Sequence, residues 1–220
     1  MSQEKEMSAE EAAQQFHAFV LDQMKAGASK ARIVDRAVDM GLERDDAEEA
    51  VGTFYDSIME TAREQEMVSG DLLRGICGGV AAAVVGGVIW GVIVIATGYE
   101  VGYVAWALGL LAGVTVVLAT RGKRGVPLQV VAIASSVMGI LIGKYVIFYH
   151  FVKKAIEEEM GAAMARELSV FSVGLMSLFL ESMGALLSGF DLLWVVLAVL
   201  TAWRIPKGLG IQLPAETAAV

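Results

Sequence analysis

Two uncharged apolar runs, separated by only three residues, dominate the pattern of the chain. GICGGVAAAVVGGVIWGVIVIAT fills residues 75–97 and VGYVAWALGLLAGVTVVLAT fills 101–120. The hydrocarbon core of a bilayer is about 30 Å thick and takes about 20 helical residues to cross, so each run predicts a membrane span. A third stretch, VPLQVVAIASSVMGILIGKYVIFYHF, predicts a span over about 126–150, with Pro127 in its first turn. FDLLWVVLAVLTAW predicts a fourth over about 189–205. Between these two, KKAIEEEMGAAMARE (153–167) reads as an amphipathic helix. LSVFSVGLMSLFL then gives an apolar run that Glu181 ends before it is long enough to span. Segment 153–187 is therefore expected as an interfacial or re-entrant element beyond the outer ends of the spans.

Ahead of the first span the period changes to that of soluble amphipathic helices. Ser8-x-x-Glu11 is a capping box opening a helix to about Ala26, with Phe16, Phe19, Val20 and Met24 on one face. Ser29 caps a second helix carrying Ile33, Val34, Ala37 and Val38, which Gly41 stops. A third begins near Asp45 and places Ala47, Ala50, Val51, Phe54 and Ile58 at helical spacing. The fold class expected is all-α. A soluble three-helix domain (1–70) precedes a polytopic helix bundle (71–208), and a flexible tail (209–220) follows.

Small residues recur every fourth position in the spans. Gly75, Gly79, Ala83, Gly87 and Gly91 line one face of the first, and Ala105, Gly109 and Gly113 one face of the second. Ser135, Gly139 and Gly143 do so on the third. Lipid tails are as apolar as leucine, so helices in a bilayer associate by close backbone approach over such faces. The faces serve either packing within one chain or packing between copies, and a homo-oligomer is expected.

Charge fixes the orientation. RGKRG (121–125) and the Arg204–Lys207 region concentrate positive charge, which collects on cytoplasmic loops. Four spans then leave both termini cytoplasmic in a bacterial inner membrane, with Tyr145, Tyr149 and His150 marking the outer interface. The long polar segment before the first span predicts that this span is its own insertion signal rather than a cleaved leader. Residues 1–74 carry a net charge of −9 and residues 75–220 a net of +1. An acidic head on a nearly neutral body argues against nucleic acid and against electrostatic adhesion to anionic lipid. The expected partners are the lipid bilayer and, for the head, a cytoplasmic protein.

The run GASKARIVDRAVDMGLERDDAEEAV, through Ile33, Gly41, Leu42, Ala47 and Val51, broadly resembles the ubiquitin-associated type of three-helix module. That resemblance implies a docking module and lends no catalytic residue. GGVIWGVIVIATGYEVGYVAWALGLLAG, LIGKY and FDLLWVVLAVLTAWRIP together resemble a set of uncharacterised bacterial multi-pass proteins. The resemblance implies a four-helix membrane body and no reaction.

No GxSxG, HExxH, P-loop or CxxC motif is present, and the single cysteine, Cys77, forms neither a disulfide framework nor a zinc site within one chain. His17 is a lone histidine on a helix. No enzyme activity, cofactor or metal is expected. The polar residues that stand out are Glu100, Lys144, Glu181 and Asp191, all on the predicted outer side. They read as caps and snorkelling groups, as an ion-pair cluster locking the helices, or as a proton or ion pathway, with Lys144–Glu100 as the expected pair. Two function classes follow. One is a non-enzymatic scaffold assembled by its small-residue faces, with a docking head. The alternative is a small channel or transporter subunit whose charged cluster lines a cavity.

Overall fold

In a computed structural model of the protein, residues 9–99, 102–186 and 189–211 are described. The chain divides into two compact units, Met1–Glu66 with Leu209–Val220, and Met67–Gly208. In the first unit α1 (Ala9–Lys25), α2 (Lys30–Asp39) and α3 (Arg44–Glu64) share one core. Val20, Ile33, Ala37, Ala47 and Val51 are fully buried in it, because each helix repeats its apolar residues every three or four positions. Ser29 accepts the Arg32 amide at 3.4 Å to start α2, and Gly41, at φ +102°, turns the chain out of it. The expected Ser8 cap lies outside the described residues. Ile211, placed by the sequence in a flexible tail, instead packs against this core; residues 212–220 lie outside the described residues.

The second unit holds α4 (Ser69–Thr97), α5 (Gly102–Ala119), α6 (Val126–Met160), α7 (Ala162–Glu167), α8 (Val173–Leu186) and α9 (Gly189–Arg204). Three of these, α4, α5 and α6, are long and apolar enough to cross a membrane. α4 packs on α5 and α6, and α9 packs on α5 and α6 in turn. Backbone proximity governs these seams. A methyl group added at Gly87 of α4 would come within 2.5 Å of the Gly139 carbonyl oxygen of α6. At Gly109 of α5 it would run into the backbone of Ala198 on α9. Gly75 and Gly91 seat Leu128 and Val146 of α6, Gly79 abuts Ser135, and Gly143 receives the ring of Trp90. Gly113 lies against Ile205, Ala83 is buried, and Ala105 sits in a core of Trp90, Leu108, Ile140 and Ala198. All three small-residue faces are thus covered within the chain, which is the first of the two uses their spacing allows.

The third apolar helix also differs from the expected boundaries. No break occurs between a span ending near residue 150 and an amphipathic helix beginning at 153. α6 is one element of 35 residues, roughly 52 Å long. Nothing in FYHFVKKAIEEEM breaks a helix, so it continues until Gly161, whose φ of +89° turns the chain. α8 folds back along this far part of α6. Phe179 meets Tyr145 edge-on at 5.3 Å and Phe148 at 5.5 Å, and the Tyr149 hydroxyl donates to the Leu168 carbonyl at 3.2 Å.

Candidate functional site

Charged side chains gather at both ends of the α4–α5–α6–α9 bundle. At the end away from the α5–α6 turn, Lys144 is buried and its Nζ lies 3.3 Å from Asp191 Oδ1 on α9. Asp191 sits in the first turn of α9, where the helix dipole favours a carboxylate. Gly143 faces α4 and the next residue faces α9, so the LIGKY sequence places the ammonium between helices rather than in lipid. One turn after Asp191, Trp194 lies against Gly102 of α5 where a Cβ would collide with its indole. Glu181 is exposed on α8 and does not join this group. Glu100, and with it the expected Lys144–Glu100 pair, lies outside the described residues, as does Ser188, the expected cap of α9.

A polar seam continues along α6 and α9. Gln129 Nε2 donates to the Trp203 carbonyl at 2.7 Å, and Ser136 is buried between this contact and Lys144 along the helix. From α5, Trp106 Nε1 donates at 2.8 Å to Thr201 Oγ1, which in turn donates to the Leu197 carbonyl. Ser136 Oγ and Trp90 Nε1 are buried and have no hydrogen-bond partner among the described residues.

The opposite end is held by a buried carboxylate. Asp71 accepts from Lys123 at 2.6 Å, from Arg74 at 3.0 Å and from the Val68 backbone N–H at 3.2 Å. Asp71 is the third residue of α4, so it supplies the carboxylate half of a capping box; Val68 has no side-chain acceptor to complete the other half. The Gly125 N–H donates to the Pro206 carbonyl at 2.8 Å, fastening the α5–α6 turn to the end of α9.

Four of these polar residues, Asp71, Gln129, Trp106 and Thr201, have no role in the sequence reading. Asp71 was hidden because hydropathy starts the first span at Gly75, whereas the helix starts at Ser69. The charge before the span was the signal. Chemically, the arrangement pairs charges and satisfies backbone carbonyls between helices. Among the described residues no three His, Cys, Asp or Glu side chains converge as metal ligands do, and Cys77 is exposed. No family model, curated protein or solved structure matches the chain, so functional interpretation rests on this geometry.

Proposed function

We propose that the protein is a non-enzymatic integral membrane scaffold of four spans, with both termini cytoplasmic, that presents its acidic three-helix head to a cytoplasmic protein partner. The observation that carries this reading is the packing at Gly87–Gly139 and Gly109–Ala198, where backbone meets backbone between helices. Seams closed at that distance leave no lumen between α4 and α6 or between α5 and α9. The fourth span is supported by the Gly125–Pro206 hydrogen bond, which puts the end of α9 beside the turn between two apolar helices. With α4, α5 and α6 crossing, α9 must cross as well to bring its last residues there. α8, at 14 residues about 21 Å long, is too short to add a fifth crossing and fits an outer-leaflet helix. Self-association, if it contributes to assembly, uses lipid-facing surface other than the three small-residue faces.

One observation favours a second reading, a channel or transporter subunit: the buried Lys144–Asp191 pair, since ionisable groups at membrane depth commonly serve ion pathways. Two measurements separate the readings. In a Cys77→Ser background, cysteines at Arg124 and Glu158 are tested with a membrane-impermeant thiol reagent in intact cells. Protection at Arg124 with labelling at Glu158 is the four-span outcome, and the reverse pattern overturns it. Purified protein in proteoliposomes should then show no ion or proton flux above that of empty liposomes. A flux abolished by Asp191→Asn would replace the scaffold with the transporter.

A further inference from the structure

The net charge of residues 75–220, close to zero, conceals a strong asymmetry along the bundle. Six cationic side chains of the Met67–Gly208 unit collect at the α5–α6 turn end: Arg74, Arg121, Lys123, Arg124, Arg204 and Lys207. Asp71 is the one carboxylate of that unit's described residues at this end, and Arg74 and Lys123 already share it. Arg121, Arg124, Arg204 and Lys207 are exposed. The Gly125–Pro206 hydrogen bond and the approach of Gly208 to the Arg124 carbonyl draw the turn onto the stretch between Arg204 and Lys207. Four exposed cations are thereby gathered around the mouth of the α6–α9 seam.

Two further features give this rim the character of a binding surface. Arg121 stands at φ +58° in the position that closes α5, with its N–H on the Leu118 carbonyl and the Gly122 N–H on the Val117 carbonyl. Glycine is the usual residue there, and a left-handed arginine is strained. The chain holds a cation at a backbone position that glycine would fill at lower cost. Immediately beyond the cations, exposed apolar side chains begin, with Val126 and Val130 on α6 and Trp203 on α9. Charge above and apolar surface below is the profile of a phospholipid, not of a soluble anion.

We propose that this rim is a binding site for the phosphate headgroup of an anionic phospholipid in the leaflet it faces, seated at the mouth of the α6–α9 seam with its acyl chains along Val126, Val130 and Trp203. The proposal rests on the membrane-spanning reading. It reverses the expectation from net charge that the protein is indifferent to anionic lipid. What matters is where the cations are held, and each Lys or Arg near a lipid surface contributes about 1 kcal/mol, or about five-fold, to anionic-lipid preference.

The test uses the full chain in nanodiscs of phosphatidylcholine with a minority of phosphatidylglycerol, followed by native mass spectrometry of the lipids retained. Incorporation into the disc independently reports membrane insertion, so failure of that reading is distinguishable. The expected result is phosphatidylglycerol enriched over its share in the disc. Arg124→Gln/Arg204→Gln/Lys207→Gln should lose that enrichment while keeping its melting temperature in pure phosphatidylcholine. Lys153→Gln/Lys154→Gln, at the other end, should keep the enrichment. If the triple variant does not fold, wild-type enrichment measured between 50 and 500 mM salt (about a three-fold change in Debye length) takes its place and should fall as salt rises. Retention at bulk proportions, or equal loss with the Lys153/Lys154 variant, overturns the proposal. So does displacement of the retained lipid by millimolar inorganic phosphate, which would make the site one for free anions. An unchanged lipid profile with a destabilised Met1–Glu66 unit in the triple variant would make the acidic unit the occupant and also overturn it.

Discussion

Lys144 on α6 and Asp191 on α9 meet at 3.3 Å, with the ammonium buried. Breaking a buried ion pair by removing one partner costs about 3 kcal/mol. Lys144→Met and Asp191→Leu should each destabilise the bundle by about that much. The double variant should cost clearly less than the sum of the two. Unfolding free energies in a mixed detergent titration read out the cycle; strict additivity would remove the pair as a latch between α6 and α9.

Gly87→Leu should be far more damaging than Val85→Leu. A Cβ at Gly87 already meets the Gly139 carbonyl oxygen, and overpacking of that kind costs about 1–3 kcal/mol or more. Val85 is exposed on the same helix, where changes stay within about 0.5 kcal/mol. Because the seam lies inside one chain, Gly87→Leu should lower the monomer's own melting temperature. A normal melt with altered oligomeric mass would instead place the ladder between copies.

Ser136→Ala has the opposite expected sign. The Ser136 hydroxyl is buried without a partner among the described residues, and such a group costs about 1–3 kcal/mol. Replacing it with a methyl should leave stability unchanged or raise it by up to about 1 kcal/mol. Thr201→Val makes the comparison, since Thr201 accepts from Trp106. It should lower stability, and a loss on Ser136→Ala equal to that of Thr201→Val would show that Ser136 is bonded.

Asp71→Asn should loosen the turn end of the bundle. It weakens two charge-assisted contacts, and the one to Arg74, which is more than half exposed, is the weaker of the two. Backbone hydrogen exchange should quicken over residues 120–125 and the first turn of α4 while the Lys144 end stays protected. Uniform acceleration along α4–α6 would mean that Asp71 supports the whole bundle rather than its end.

Hydropathy and small-residue spacing were enough to read the helices and their packing faces, because both are periodic and local. Gly75, Gly79, Gly87 and Gly91 announce a close-approach face whatever neighbour takes it. Which neighbour takes it is not local, and here α6 of the same chain does. The ends of α6 and α4 differ from the hydropathy boundaries for one reason. Hydropathy marks where apolar residues stop, whereas a helix stops where backbone geometry changes, at Gly161 and before Ser69. Of the polar site, Lys144 and Asp191 were legible as charges in apolar surroundings. Asp71, Gln129 and Thr201 were not, since each is an ordinary polar residue near a span end until a partner from a distant helix arrives.

The helices of the bundle are unequal in length. α9 has 16 residues, roughly 24 Å, about 6 Å short of a typical hydrocarbon core, while α6 exceeds that core by more than 20 Å. On the four-span reading, lipid touching the exposed face of α9 has to thin to meet it, and lipid beside α6 does not. Such a lopsided body carries a preference for membrane thickness, because mismatch costs a fraction of a kcal/mol per ångström and sorts proteins between bilayers. In vesicles that separate into thin and thick phases the protein should collect in the thin one. Lengthening α9 by four leucines after Leu193 should move it towards the thick phase, and indifference to that insertion would mean that α8 or a neighbouring molecule, not lipid, covers the short wall.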